Sequence, residues 1–175
     1  MPAALEGVRV VDLTHHITGP YCTKLLADYG ADVVKIERPG GDPARRLAPF
    51  YKDEPNIEGS GLFLALNTNK RSAVVDLKRH AGREALLTLV RNADILVESF
   101  SPRVMPSLGL DYEALREANP KLTMTSISNF GSSGPYRDYK LSEINLYALG
   151  GTCLLYTSDA GRRSYACRSR WSPYH

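Results

Sequence analysis

Val8-Arg9-Val10-Val11-Asp12-Leu13, then Thr14-His15-His16-Ile17-Thr18-Gly19-Pro20, a stretch over 21–29, Gly30, and Ala31-Asp32-Val33-Val34-Lys35-Ile36-Glu37 follow one another without a break, and their order decides the fold. The first run is short, apolar and β-branched, which predicts a strand buried in a sheet. The second is a loop rich in chain breakers. Leu25, Leu26 and Tyr29 recur at helical spacing, and Gly30 stands where a helix must stop. The last run is a second buried strand, closed by Arg38-Pro39-Gly40-Gly41-Asp42. A helix joining two such strands makes a right-handed βαβ unit with the strands parallel. Both strands then end at one edge of the sheet, which brings His15, Thr18 and Arg38 within reach of one ligand.

The same alternation continues outward. Residues 43–59 are polar and read as a surface excursion, and 61–66 as a helical turn. Ser72-Ala73-Val74-Val75-Asp76-Leu77 is a third strand, 78–82 a turn, and 83–92 a helix with Ala85, Leu86, Leu89 and Val90 on one face. Residues 93–98 form a fourth strand ending in Ser99-Phe100-Ser101-Pro102, followed by a short helix over 103–108 that Gly109 breaks. Asp111 is a good N-cap for a helix over 112–118, which Asn119-Pro120 ends. Residues 122–128 are a fifth strand, 129–139 a Gly/Ser/Pro loop, and 141–149 a last helix. The pattern predicts an α/β fold, a Rossmann-like open, mostly parallel sheet.

The chain has 175 residues, 43% of them hydrophobic, which suits one domain with a buried core or one large piece of a bigger protein. No apolar run is long enough to span a bilayer and no basic-then-apolar leader opens the chain, so the expectation is a soluble, cytoplasmic protein with no membrane partner. The net charge of +3 is local: four of the 22 basic residues and one of the 19 acids lie after Thr152, leaving 18 of each before it. A neutral body argues against nucleic acid as a partner. Cys22 alone remains outside the last segment, so there is neither a disulfide framework nor a thiolate metal cluster.

Residues 153–175 break with everything before them, showing no sustained period. They read as a disordered basic terminus or as foreign sequence. Cys153-Leu154-Leu155-Tyr156-Thr157-Ser158-Asp159-Ala160 resembles a translated sequencing-library transposon end, and residues 167–175 the adapter that follows it. On that reading residues 1–152 are the natural N-terminal part of a large α/β domain, and 153–175 are an appended tail.

Ligands of open α/β sheets bind beyond the carboxyl ends of the strands. His15, Thr18, Arg38, Lys78, Ser99, Phe100, Ser128 and Asn129 are expected there. Cations, short donors and one aromatic face suit a phosphorylated, partly aromatic ligand such as a nucleotide-bearing cofactor. Ordinary polar loops present the same residue types, and the pattern alone does not separate the two. Glu37 closes the second strand where a ribose-binding carboxylate would sit. The first loop, however, holds Gly19 alone instead of G-x-G-x-x-G, and no P-loop string exists, so a nicotinamide dinucleotide is disfavoured. His15-His16 lack a placed carboxylate partner, and adjacent loop residues rarely ligate together, so no metal is expected. His80 reads as solvated. Cys22 reads as a small core residue before a nucleophile, because no base is identifiable.

Longer matches go further. Leu5-Glu6-Gly7 leading into the first strand, Gly19-Pro20, and residues 25–39 resemble the start of the class III CoA-transferases, the CaiB/BaiF family. Asn67-Thr68-Asn69-Lys70-Arg71-Ser72, Asp76-Leu77-Lys78, residues 93–102, Leu108-Gly109-Leu110 and Gly131-Ser132-Ser133-Gly134-Pro135-Tyr136 follow in the family's order. The resemblance covers residues 4–151 and implies coenzyme A or an acyl-CoA as ligand, a small carboxylic acid as acceptor, and a homodimer of interlocked rings. It implies that His15 and Thr18 line the CoA site, that Arg38 meets the nucleotide phosphates, that Val75 and Lys78 flank the adenine, that Ser99 and Phe100 border the arm, and that Lys140 lies near the active-site end. Ser99 stands where the family usually has Asn, and Ser107 where it has Arg, a charge that Arg103 is expected to cover in part. Weaker CoA affinity than in a typical member follows. Family transferases pass the acyl group through an aspartyl anhydride and thioester. That aspartate falls within 153–175, where the only acid, Asp159, belongs to the adapter match, so no catalytic residue is assigned and the chain is expected to be inactive. Racemases of the family, which act on α-methylacyl-CoA, use a His where this chain has Ser142. The transferase reading therefore leads, with a racemase parent or a CoA- or nucleotide-binding fragment as alternatives.

Overall fold

The computed structural model describes residues 3–149, and the tail expected over 153–175 lies outside the described residues. Five strands form one parallel sheet: β1 (Arg9–Leu13), β2 (Asp32–Glu37), β3 (Arg71–Val74), β4 (Ile95–Glu98) and β5 (Thr123–Ser126), in the order β3-β2-β1-β4-β5. β1 is central, with Val10 facing Val33 of β2 on one side and Ile95 of β4 on the other. The chain runs outward from β1 in one direction through β2 and β3, then returns to build β4 and β5 on the opposite flank.

The described residues hold six α-helices: α1 (Thr18–Asp28), α2 (Gly61–Leu66), α3 (His80–Val90), α4 (Val104–Ser107), α5 (Tyr112–Ala118) and α6 (Glu143–Leu149). Their ends follow from local chemistry. Pro20 sits in the first turn of α1, where a missing N–H costs nothing. The chain leaves α1 through Gly30, whose φ of 100° suits a residue without Cβ. Ser60 caps α2 by accepting from the Phe63 N–H at 3.2 Å, and Asp111 caps α5 by accepting from Ala114 at 3.0 Å, as its sequence position predicts. The 43–59 excursion contains two single-turn 3₁₀ helices, Pro43–Arg46 and Tyr51–Asp53. Several boundaries differ from expectation: Thr18 is the first residue of α1, where a loop was expected, α3 begins at His80 inside the expected turn, β3 ends at Val74 instead of Leu77, and β5 ends at Ser126 instead of Ser128.

Alternation along the strands sends side chains to two faces. Val11, Leu13, Ile36 and Leu96 pack with Leu86 and Val90 of α3, Met105 of α4 and Leu115 of α5 into the larger core. Val10, Val33 and Val97 pack with Ala27 of α1 and Ala31 on the other face. Asp12, Lys35 and Glu37 share that second face and are 0%, 1% and 3% exposed. Each is paired. Asp12 accepts from Thr14, from the Thr23 hydroxyl at 2.6 Å and from Lys70 Nζ at 3.1 Å. Lys70 also donates to the Pro20 carbonyl and Asn67, tying the chain before β3 to α1. Residues 3–138 form one compact unit, and 139–149, with α6, belong to a second. Among the described residues no helix is long and apolar enough to cross a membrane.

Candidate functional site: the crevice at the strand ends

The sheet order reverses at β1, and at such a switch point the loops leaving two neighbouring strands diverge and open a crevice. Here the loops after β1 and β4 meet: the His15 N–H donates to Ser99 Oγ at 3.1 Å, and the His15 and Phe100 rings lie 5.4 Å apart. Beside them opens a cavity of about 620 Å³. Leu13 and Ile36 line it from the strand ends. Thr14, His15 and His16 come from the loop after β1, Arg38, Asp42 and Pro43 from the loop after β2, and Val75, Asp76, Leu77 and Lys78 from the segment after β3. Glu37 at the end of β2, Phe100, Val104 and Ser107 of α4 and Leu108 just after it complete it.

Which charges face a ligand is settled by pairing. Glu37 accepts from Arg45 through both oxygens, at 2.7 and 2.8 Å, from the Ser72 hydroxyl at 2.6 Å and from the Asp42 N–H at 2.9 Å. Burial raises its pKa, but these donors outweigh burial and hold the carboxyl at about 2. A carboxylate so fully engaged has no lone pair left for a ribose, which removes the role that its place at the strand end suggests. Asp42 faces Lys35 Nζ at 2.9 Å, with both side chains buried. Arg38 and Lys78 form no ion pair among the described residues, so the net character of the rim is cationic. His15 is held below its ordinary pKa, first by burial and then by His16, against the pull of Asp42, with Lys35 and Arg38 adding to the lowering. At neutral pH it offers a neutral ring, a hydrogen-bonding and stacking surface.

The structure brings five of the eight expected site residues, His15, Arg38, Val75, Lys78 and Phe100, to one cavity. Ser99 stands behind that wall as the acceptor for His15. Thr18 is exposed at the start of α1 and is not among the lining residues, because the helix starts earlier than the breakers suggest. Lys140 belongs to the second unit, where the Ser142 hydroxyl donates to Asn145 Oδ1. Ser128 lines a neighbouring cavity of about 340 Å³ that shares Phe100. Arg103, expected to cover part of the charge at Ser107, makes a two-pronged pair with Asp138, at 2.9 and 2.7 Å, outside the lining. Cys22 is half-buried rather than a core residue, and His80 is solvated as read. Sequence reasoning missed the Lys35–Asp42 and Lys70–Asp12 pairs; charges inside apolar strand runs were the signal, since they demand buried partners.

The chain is thus an α/β domain with a Rossmann-like parallel sheet and a crevice at its switch point, whose rim carries Arg38 and Lys78 and whose wall includes the His15 and Phe100 rings. The relatives narrow the class. The sequence model of CoA-transferase family III matches residues 5–172, and the chain belongs to that family. It is 46% identical over 152 residues to formyl-CoA:oxalate CoA-transferase of Bradyrhizobium sp. (strain ORS 278), covering 86% of this chain and 35% of that protein. It is 44% identical over 143 residues to succinyl-CoA:(R)-benzylsuccinate CoA-transferase subunit BbsE of Thauera aromatica, covering 82% and 35%. Among solved structures, a CaiB/BaiF family protein from Brucella suis superposes with a TM-score of 0.78 at 36% identity, over 86% of this chain and 40% of that one. The chain thus spans about a third of the length of the curated relatives it matches.

Proposed function

We propose that the crevice holds the nucleotide end of coenzyme A or an acyl-CoA, and that the chain is the N-terminal, CoA-gripping part of a CoA-transferase that moves CoA to a small carboxylic acid. The observation that carries this is the pair of free cations, Arg38 and Lys78, on the rim of an apolar-floored crevice whose wall is the His15–Phe100 ring pair. Guanidinium and ammonium groups suit phosphates, and the tilted pair of a neutral His15 ring and Phe100 offers ring surface to an adenine or to the arm of the thioester. In this reading His15, Arg38, Val75, Lys78, Ser99 and Phe100 serve the ligand. The parent enzyme is a cytoplasmic homodimer without a metal cofactor.

The reading also takes 1–152 as the CoA-gripping part and holds that 153–175, whose one acid is Asp159, lacks the aspartyl nucleophile. Binding without turnover is the result. Calorimetric titration of the 175-residue chain with CoA is expected to saturate. Arg38→Met and Lys78→Met are each expected to weaken binding about tenfold and to flatten its dependence on salt. No saturable heat with CoA rules the reading out. Exchange of label between an acyl-CoA and a free acid, catalysed by this chain, removes the claim that it is inactive.

A further inference from the structure

Asp42 has more connections to the crevice walls than its place at the end of a glycine turn suggests. One oxygen, Oδ1, accepts from the backbone N–H of His16, in the loop after β1, at 3.2 Å, and from that of Ala44, in the loop after β2, at 2.8 Å. The other, Oδ2, lies 2.9 Å from Lys35 Nζ, and that ammonium donates to the Thr14 carbonyl at 2.7 Å. Its own N–H donates to Glu37 Oε2 at 2.9 Å, closing the turn that carries Arg38. The side chains of Asp42 and Lys35 are both 1% exposed, so the Oδ1 hydrogen bonds and the Oδ2 ion pair are shielded from water.

His16 shows why such a tie is needed. Its φ is 64°, the left-handed region that a residue with a side chain occupies at a cost. The loop after β1 reaches that conformation with its N–H aimed at Asp42, and His15, one residue earlier, is thereby turned toward Phe100.

We infer that Asp42 is a positioning residue whose carboxylate ties the loop after β1 to the loop after β2 and so sets the spacing between His15 and Arg38 across the crevice. The consequence for binding rests on the CoA reading above; the tie itself does not.

The test compares two charge-matched double variants of the full chain. Asp42→Asn with Lys35→Met keeps an acceptor oxygen at the Oδ1 position, whereas Asp42→Ala with Lys35→Met removes it, and neither leaves an unpaired ammonium inside. The CoA dissociation constant of the Ala pair is expected to be at least about tenfold above that of the Asn pair, with matching far-UV circular dichroism. Amide hydrogen exchange at His16, without ligand, is expected to be at least about tenfold faster in the Ala pair. Equal constants, or equal protection of His16, overturn the proposal. If wild-type chain binds no CoA, the functional reading fails while the exchange comparison still decides this one. If the Ala pair does not fold, Asp42→Ser with Lys35→Met, whose short side chain caps Ala44 without reaching His16, is expected to give the same faster exchange.

Discussion

Arg45 shows how a residue outside the crevice fixes the charge inside it. Its guanidinium spans both oxygens of Glu37, reaches Glu58 at 3.0 Å and lies 3.7 Å from the centre of the Phe63 ring. Replacing it leaves a carboxylate that is 3% exposed with Ser72 and the Asp42 N–H as its remaining donors, and breaking a buried pair by deleting one partner costs about 3 kcal/mol. Arg45→Met is therefore expected to lose about 3 kcal/mol in urea unfolding at pH 7. The pH dependence gives the sign. Because the folded pKa of Glu37, about 2, lies below its ordinary 4.5, its stabilisation is complete above pH 4.5 and is lost as the pH falls toward 2. Without Arg45 only Ser72 and the Asp42 N–H remain to oppose burial, so the carboxyl protonates at higher pH than in the wild type and the acid limb of the variant's stability curve moves upward. A limb that stays in place, measured by unfolding at pH 3 to 7, contradicts this account of the pair.

At the scale of elements, the strand–helix alternation was readable because β-branched runs, capping acids and glycine stops each mark their own ends. The partners of the buried charges were not. Asp12, Lys35 and Glu37 lie inside runs whose period says only "buried", and their partners Lys70, Asp42 and Arg45 come from other segments of the chain. The site was legible to the same extent. His15, Arg38, Lys78 and Phe100 reach one crevice as the rule that ligands gather at strand ends implies, whereas the absence of Thr18 from its lining goes with where α1 begins. That beginning is tightly constrained. A Cβ on Gly19 would lie 2.3 Å from Thr14 Cβ, so α1 starts against the end of β1 only because position 19 has no side chain. Gly19→Ala forces the helix and Thr14 apart, and overpacking of this kind costs about 2 kcal/mol. The melting temperature is expected to fall accordingly, with the CoA affinity falling too, since Thr14 lines the crevice. An Ala variant with unchanged stability means that the helix start shifts freely.

For the whole molecule, what matters is which apolar surface the described residues leave open. Ile17, Tyr21, Leu25 and Tyr29 recur every four residues along α1 and just beyond it, and are 48%, 53%, 40% and 60% exposed. Spacing of four places them on one side of the helix, the side away from Ala27 and the smaller core. A stripe of this kind is larger than the isolated apolar residues that soluble surfaces normally carry, and it drives association in water. The edge strands add to it: β3 exposes Val74, at 67%, on one flank, and β5 has no further strand beyond it among the described residues. Sedimentation velocity is expected to show mass rising with concentration for the wild-type chain. Leu25→Lys with Tyr29→Lys is expected to suppress most of that rise, because an ammonium resists desolvation against an apolar face. Neither residue lines the crevice, so CoA binding provides the control: it is retained if the crevice is built independently of the outer face of α1. Association that persists undiminished in the double variant shifts the driving surface from α1 to the sheet edges, which a charged substitution at Val74 then isolates.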